Sequence, residues 1–262
     1  MLDEADWEII SQKIPDLSYL EEMVYSFSPD FDSIYFIPHA PNTYVPIASV
    51  CLNDALHTLS EARYALMEVF AHQIWYLDKK DHPNLPCAAY FGRFYAGDAA
   101  LRLYSAAEHL SAGIIMMLEI TDADLKYYMS KGKRRKSQQA VLGNYLRGNM
   151  LGHSITTAVD KLAQSQNWQK AMDYRNRLVH EQPPTVNGLG IVYKRRIRCE
   201  ITSKGGFKLV GGGDKPEYSV DDLVQFIQPA MFQFTDTFTS VVEFYMELLK
   251  NARNNSRFLP SI

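Results

Sequence analysis

The sequence predicts an all-α fold, a bundle of roughly six or seven helices carrying one β-hairpin. Three observations predict it. Apolar residues recur at helical spacing through most of the 262-residue chain. One stretch, Leu189–Val210, switches to alternation. The composition, 47% hydrophobic and 22% charged, is that of a globular chain long enough to bury a full core.

Residues 1–49 read as an acidic, Pro/aromatic-rich N-terminal arm packed on the body, irregular from residue 26 onward, where Pro29, Pro38, Pro41 and Pro46 fall among aromatics. Residues 50–262 read as a single helical domain. Leu52, Leu56, Leu59, Leu66, Phe70, Ile74 and Leu77 mark one stripe of a long helix over about Asn53–Leu77. After the Asp81–Pro86 connection, Ala88–Glu119 is rich in Ala and Leu on nearly every face, the pattern of a helix at the centre of a bundle. Thr121 with Asp124 forms a capping-box pattern for a short helix ending near Ser130. Lys131–Lys136 is a loop. Helices follow over Gln138–Leu146, Ile155–Gln166 and Trp168–Glu181, the last stopped by Pro183-Pro184.

In the alternating stretch, Ile191, Tyr193, Ile197, Cys199 and Ile201 interleave with Val192, Lys194, Arg196, Arg198 and Glu200. Gly205-Gly206 then turns into Phe207–Val210, predicting an inserted hairpin at about 189–210 with one strongly basic face. Ser219 with Asp222 caps a long C-terminal helix reaching about Lys250, with a kink expected at Pro229.

The net charge of -3 conceals an asymmetry. Residues 1–32 carry nine acids against Lys13 alone, whereas residues 126–198 carry fifteen Lys or Arg against Asp160, Asp173 and Glu181. A basic zone of that size attracts phosphates. The Lys131, Lys133, Arg134, Arg135 and Lys136 loop and the Lys194, Arg196 and Arg198 hairpin face are the candidate RNA-backbone contacts, with Tyr127, Tyr128, Tyr145 and Tyr193 near them as stacking surfaces.

Other chemistry is poorly represented. No apolar run reaches the ~18 residues of a membrane span, so no membrane partner is expected. The acidic start argues against a secretory signal. Cys51, Cys87 and Cys199 are odd in number and widely spaced, which points to a reducing cytoplasm. There is no Walker loop, no G-x-G-x-x-G, no nucleophile elbow and no His-Glu-x-x-His, so no cofactor and no metal are expected. His57, Glu61, Glu68 and His72 share a helix face, and exposed ion pairs are the favoured reading of it. His109 and His153 have no spaced partners.

The informative segment is Trp168–Pro184. On a helical wheel Trp168, Ala171, Met172, Leu178 and Val179 form an apolar face with Arg175 in its middle. A guanidinium there must meet a carboxylate, a carbonyl cluster or an external anion, because an unpaired buried charge costs several kcal/mol. Asn176 and His180, four residues apart, stack on the flank. His180 falls in the last turn, where the helix dipole favours positive charge. The five-residue offset from Arg175 to His180 is about 140° on an ideal helix. A shared site therefore needs the long Arg side chain, an unwound last turn, or a second copy of the helix across a two-fold axis.

Arg175, Asn176 and His180, as R-N-x-x-x-H near a helix end, resemble the signature of the HEPN superfamily. Phe94–Asp98 and the following Ala99–His109 look like the central helix of one bacterial HEPN family. The resemblance covers about residues 50–182. It implies a HEPN-like helical bundle and a metal-independent endoribonuclease with a composite site at a homodimer interface. Such proteins act as toxins or anti-phage effectors, with an antitoxin or regulatory protein as a further partner. In that reading His180 is the general base or acid, Arg175 holds the scissile phosphate and Asn176 orients one of them. Glu108 and Asp98 are supporting carboxylates for His180 or Arg175, or else members of internal salt bridges. Some HEPN toxins carry a tyrosine two residues after the histidine; here that residue is Gln182, so regulation through that tyrosine is not expected. The alternative is a non-catalytic HEPN-like nucleic-acid or protein-binding dimerisation module.

Overall fold

The computed structural model describes residues 2–27, 44–79, 81–129, 137–181, 183–189, 198–201, 205–210 and 215–256. The described chain is mostly helical. In order come α1 (Glu4–Ser11), α2 (Ser18–Phe27), α3 (Tyr44–Gln73), a π-turn (Ile74–Asp78), α4 (Leu85–Met117), α5 (Asp122–Leu125), α6 (Gln138–Asn149), α7 (Ser154–Gln164), α8 (Gln166–His180), strands β1 (Arg198–Ile201) and β2 (Phe207–Val210), and α9 (Val220–Ser256). Among the described residues no helix is long and apolar enough to cross a membrane.

The centre is the antiparallel pair α3 and α4. Asn84 caps α4 by accepting from Cys87 N–H, with Pro86 in the first turn, where no backbone donor is needed. The buried side of α4 is then largely Ala and Gly, so α3 approaches closely; a Cβ on Gly113 would stand 3.3 Å from Leu52 Cδ2. Gln73 fastens the far end by donating to Ala88 C=O at 3.0 Å. Helix α9 packs on α4, α7 and α8 through Phe234, Phe238 and Val241, all fully buried.

The N-terminal region differs from its sequence reading. Residues 4–27 form two helices whose Ile10, Ile14, Leu17, Leu20 and Val24 enter the same core as α3 and α9. Helix α3 begins at Tyr44, inside the stretch expected to be irregular, because Pro46 falls in its first turn, where proline is tolerated. Two acids of this region are engaged within the fold. Asp3 and Asp6 form the capping box of α1 and both pair with Lys79, at 2.8 and 3.0 Å.

Thr121 and Asp124 form their capping box, but α5 stops at Leu125. Ser219 and Asp222 cap the entry to α9, which runs to Ser256 with Pro229 inside it. Strands β1 and β2 pair antiparallel, Arg198 opposite Val210 and Ile201 opposite Phe207. The ends of this excursion meet: Val186 bridges Tyr218, and Asn187 N–H donates to Tyr218 C=O at 2.8 Å.

Candidate functional site

Helix α8 carries the motif. Ser165 ends α7 and caps α8, its hydroxyl accepting from Trp168 N–H at 3.3 Å and bonding Gln233 of α9. Residue Glu181 turns to extended backbone after His180, ahead of the two prolines. The buried face of α8 is Trp168, Ala171 and Tyr174, with Met172 and Leu178 half-buried beside it; this is the expected face turned slightly, since Tyr174 is 1% exposed and Val179, expected within it, is 47% exposed. The spacing Ala171–Tyr174–Leu178 lies against α4, where Leu178 Cδ2 would stand 3.2 Å from a Cβ on Gly97. Val179 lies off that line.

This rotation leaves Arg175 at the edge of the buried face, half-buried. Its guanidinium carbon lies 3.7 Å from the centre of the Tyr104 ring on α4. Its Nη1 donates to Asn176 Oδ1 at 3.0 Å, and its Nε is buried without a hydrogen-bond partner. Among the described residues no carboxylate comes within 4.0 Å of it. Burial first, and then the Glu108 carboxylate, push the Tyr104 hydroxyl above its ordinary value, against the pull of Arg175.

Arg175, Asn176 and His180 all line one open cavity of about 1100 Å³, bounded by α4, α6, α7, α8 and α9. Asn176 and His180 are exposed. On α6, Arg147 reaches the same cavity; its guanidinium pairs with Asp160 at 2.8 Å and donates to Asn144 Oδ1 at 2.7 Å. The α6 N-terminus is tied to α4 by Gln139, whose side chain donates to Tyr104 C=O at 3.2 Å and whose N–H reaches Glu108 Oε1 at 3.4 Å.

The two supporting carboxylates are thus placed differently. Glu108 stands behind Tyr104, the ring on which Arg175 rests, and holds the start of α6. Asp98 pairs with Arg102 at 2.8 Å and does not line the cavity; Arg102 also pairs with Glu61. Lys131, Lys133, Arg134, Arg135, Lys136, Lys194, Arg196 and Gln182 lie outside the described residues, and Arg198 is described only as part of β1. Tyr104 and Arg147 were not singled out from the sequence. Tyr104 sits four residues before Glu108 on one face of α4, a spacing that groups the two, while Arg147 was counted only within the basic zone.

Two of the other histidines have structural roles. His153 caps α7, its Nδ1 accepting from Ile155 N–H at 3.2 Å. His72 lies 3.5 Å from Glu68 and stacks on Phe91, centroids 4.4 Å apart. Among the described residues no three His, Cys, Asp or Glu side chains gather as metal ligands.

The arrangement combines a guanidinium with unspent donor capacity and an exposed imidazole at one cavity. It suits an anion with a proton to exchange. No family model, curated protein or solved structure matches the chain.

Proposed function

We propose that this chain is a metal-independent endoribonuclease of HEPN type, acting in the cytoplasm as a toxin or anti-phage effector. One observation carries the reading: Arg175, uncompensated by any described carboxylate and with a buried unpartnered Nε, lines the same cavity as the exposed His180. A cation held on an aromatic face and lacking its counter-ion favours an incoming phosphodiester.

In this mechanism Arg175 binds the non-bridging oxygens of the scissile phosphate and offsets the charge that grows on them. Asn176, through the 3.0 Å contact from its neighbour, holds the guanidinium in orientation. His180 takes the proton from the ribose 2′-hydroxyl, or gives one to the departing 5′-oxygen, a transfer typically worth ~10²–10⁴-fold. The 2′-oxygen bonds to phosphorus, the bond to the 5′-oxygen breaks, and the products are a 2′,3′-cyclic phosphate and a 5′-hydroxyl. The basic residues of 131–136 and 194–198 supply further phosphate contacts along the strand, and a homodimer carries two such sites. An antitoxin or regulatory protein restrains the activity.

The test is cleavage of RNA and of matched DNA with chelator present, by the unsubstituted chain and by Arg175→Ala and His180→Ala. RNA-only cleavage that survives chelation and is lost in both variants is the expected result. RNA binding without cleavage selects the non-catalytic module instead, and cleavage abolished by chelator refutes the metal-independent mechanism. Gel filtration checks the dimer.

A further inference from the structure

Arg175 and His180 sit at a cavity much larger than a phosphate requires. Its volume of about 1100 Å³ exceeds the upper end of the ~300–1,000 Å³ usual for small-molecule pockets. Beside the polar residues its lining includes apolar side chains at the edge of the core: Ala107 and Leu110 from α4 and the half-buried Met172 from α8, with the edge of the largely buried Trp168. On the α6 side the wall is recessed. Gly143 lines the cavity, and a Cβ there would meet nothing closer than Arg147 Nη1 and Val159 Cγ1, both at 4.0 Å.

Resting on the nuclease reading above, we infer that this cavity is a nucleobase pocket, which takes the base of one unpaired nucleotide of the RNA strand while Arg175 holds that nucleotide's phosphate. A base is planar, largely apolar on its faces and tethered to an anion, which matches an apolar chamber with an uncompensated guanidinium at its edge. A free apolar ligand leaves that guanidinium unanswered, and inorganic phosphate leaves the chamber empty. Bases within an A-form duplex are stacked and out of reach, so the pocket selects single-stranded segments, loops and bulges. Arg147, neutralised by Asp160 but partly exposed, lines the same cavity and is left to a structural role.

The experiment measures binding, on full-length protein carrying His180→Ala so that no strand is cut. The probes are a uridine hexanucleotide and the same ribose-phosphate backbone without bases. Gly143→Phe fills the chamber from α6, and Ala163→Phe fills it from α7; thermal melts show which of the two keeps the fold. The hexanucleotide is expected to bind more tightly than the abasic strand, and the filled variant to lose about tenfold of that affinity, the scale of one bound base. The abasic strand is expected to bind the filled and unfilled proteins alike. Equal binding of the two strands, an unchanged hexanucleotide affinity in the filled variant, or binding of neither strand would each overturn the pocket. Cleavage by protein retaining His180 is read separately. Base-dependent binding without cleavage removes the nuclease and leaves the pocket; cleavage indifferent to Gly143→Phe does the reverse.

Discussion

The Arg175 guanidinium rests on the face of the Tyr104 ring, its central carbon 3.7 Å from the ring centre. Two helices are thereby joined by a cation and an aromatic, without a carboxylate. A carboxylate in that place would neutralise the charge; the ring supports the guanidinium and leaves it able to bind an anion. Such contacts are worth ~0.5–1 kcal/mol when exposed and about 2 when desolvated.

Replacing Tyr104 by Ala removes the support and is expected to weaken RNA binding about twofold to thirtyfold, the range that contact implies. Tyr104→Phe keeps the ring and restores binding to within about twofold. Titration of labelled RNA at fixed salt measures both; an equal loss in the two variants assigns the effect to the hydroxyl, not the ring face.

Gly92 and Gly143 are both glycines inside helices and are expected to respond oppositely to alanine. At Gly92 a Cβ would lie 2.7 Å from Gln73 Nε2 and 2.7 Å from Val220 Cγ1, where α3, α4 and α9 meet. Gly92→Ala is expected to destabilise by ~1–3 kcal/mol through overpacking. Gly143→Ala meets only ordinary contacts, at 4.0 Å from Arg147 Nη1 and Val159 Cγ1, and is expected to stabilise by ~0.5–1 kcal/mol through helix entropy. Urea unfolding of the pair, read against the unsubstituted chain, checks the contrast.

Helix α4 ends in a Schellman turn, with Ile120 N–H donating to Ile115 C=O at 3.0 Å and Glu119 N–H to Met116 C=O at 3.2 Å. The turn requires Glu119 at φ 51°, a conformation that disfavours a Cβ. Glu119→Gly is expected to raise stability by ~0.5–1 kcal/mol, visible as a higher melting temperature. A lower one would show that the Glu119 side chain contributes more than the strain costs.

Burial holds the His72 ring below its ordinary value of 6.5, with Glu68 opposing the shift. The unfolded chain then takes up this proton before the folded one does. Stability should fall as pH drops through 6.5 and level off once the folded ring is also protonated. His72→Phe preserves the stack on Phe91 and removes the titration. Its melting temperature should decline less than that of the unsubstituted chain between about pH 7 and about pH 5. Parallel declines would rule out this contribution.

Helices α3, α4 and α6–α9 were legible because their apolar periods and caps, such as Ser219 with Asp222, are local. Helices α1 and α2 were missed although Ile10, Ile14, Leu17, Leu20 and Val24 recur at helical spacing. Pro15 divides that run and nine acids surround it, so its burial depends on α3 and α9, far along the chain. The same limit applies at the site. Arg175, Asn176 and His180 stood out as a short motif, whereas their partners Tyr104 and Arg147 arrive by tertiary packing from α4 and α6. The wheel also rotated the buried face of α8 by favouring Val179 over Tyr174. A tyrosine's large apolar ring outweighs its hydroxyl when the site offers burial beside Phe226 and Tyr218.

Gly97 carries no functional group, yet Leu178 lies so near that even one added methyl would stand 3.2 Å from it. The clearance between α4 and α8 is set by that missing carbon, and with it the span the Arg175 side chain crosses to reach the aromatic beneath it. A bulkier residue at this position would wedge the helices apart and alter the chemistry from a distance, with every polar group of the cavity still in the chain.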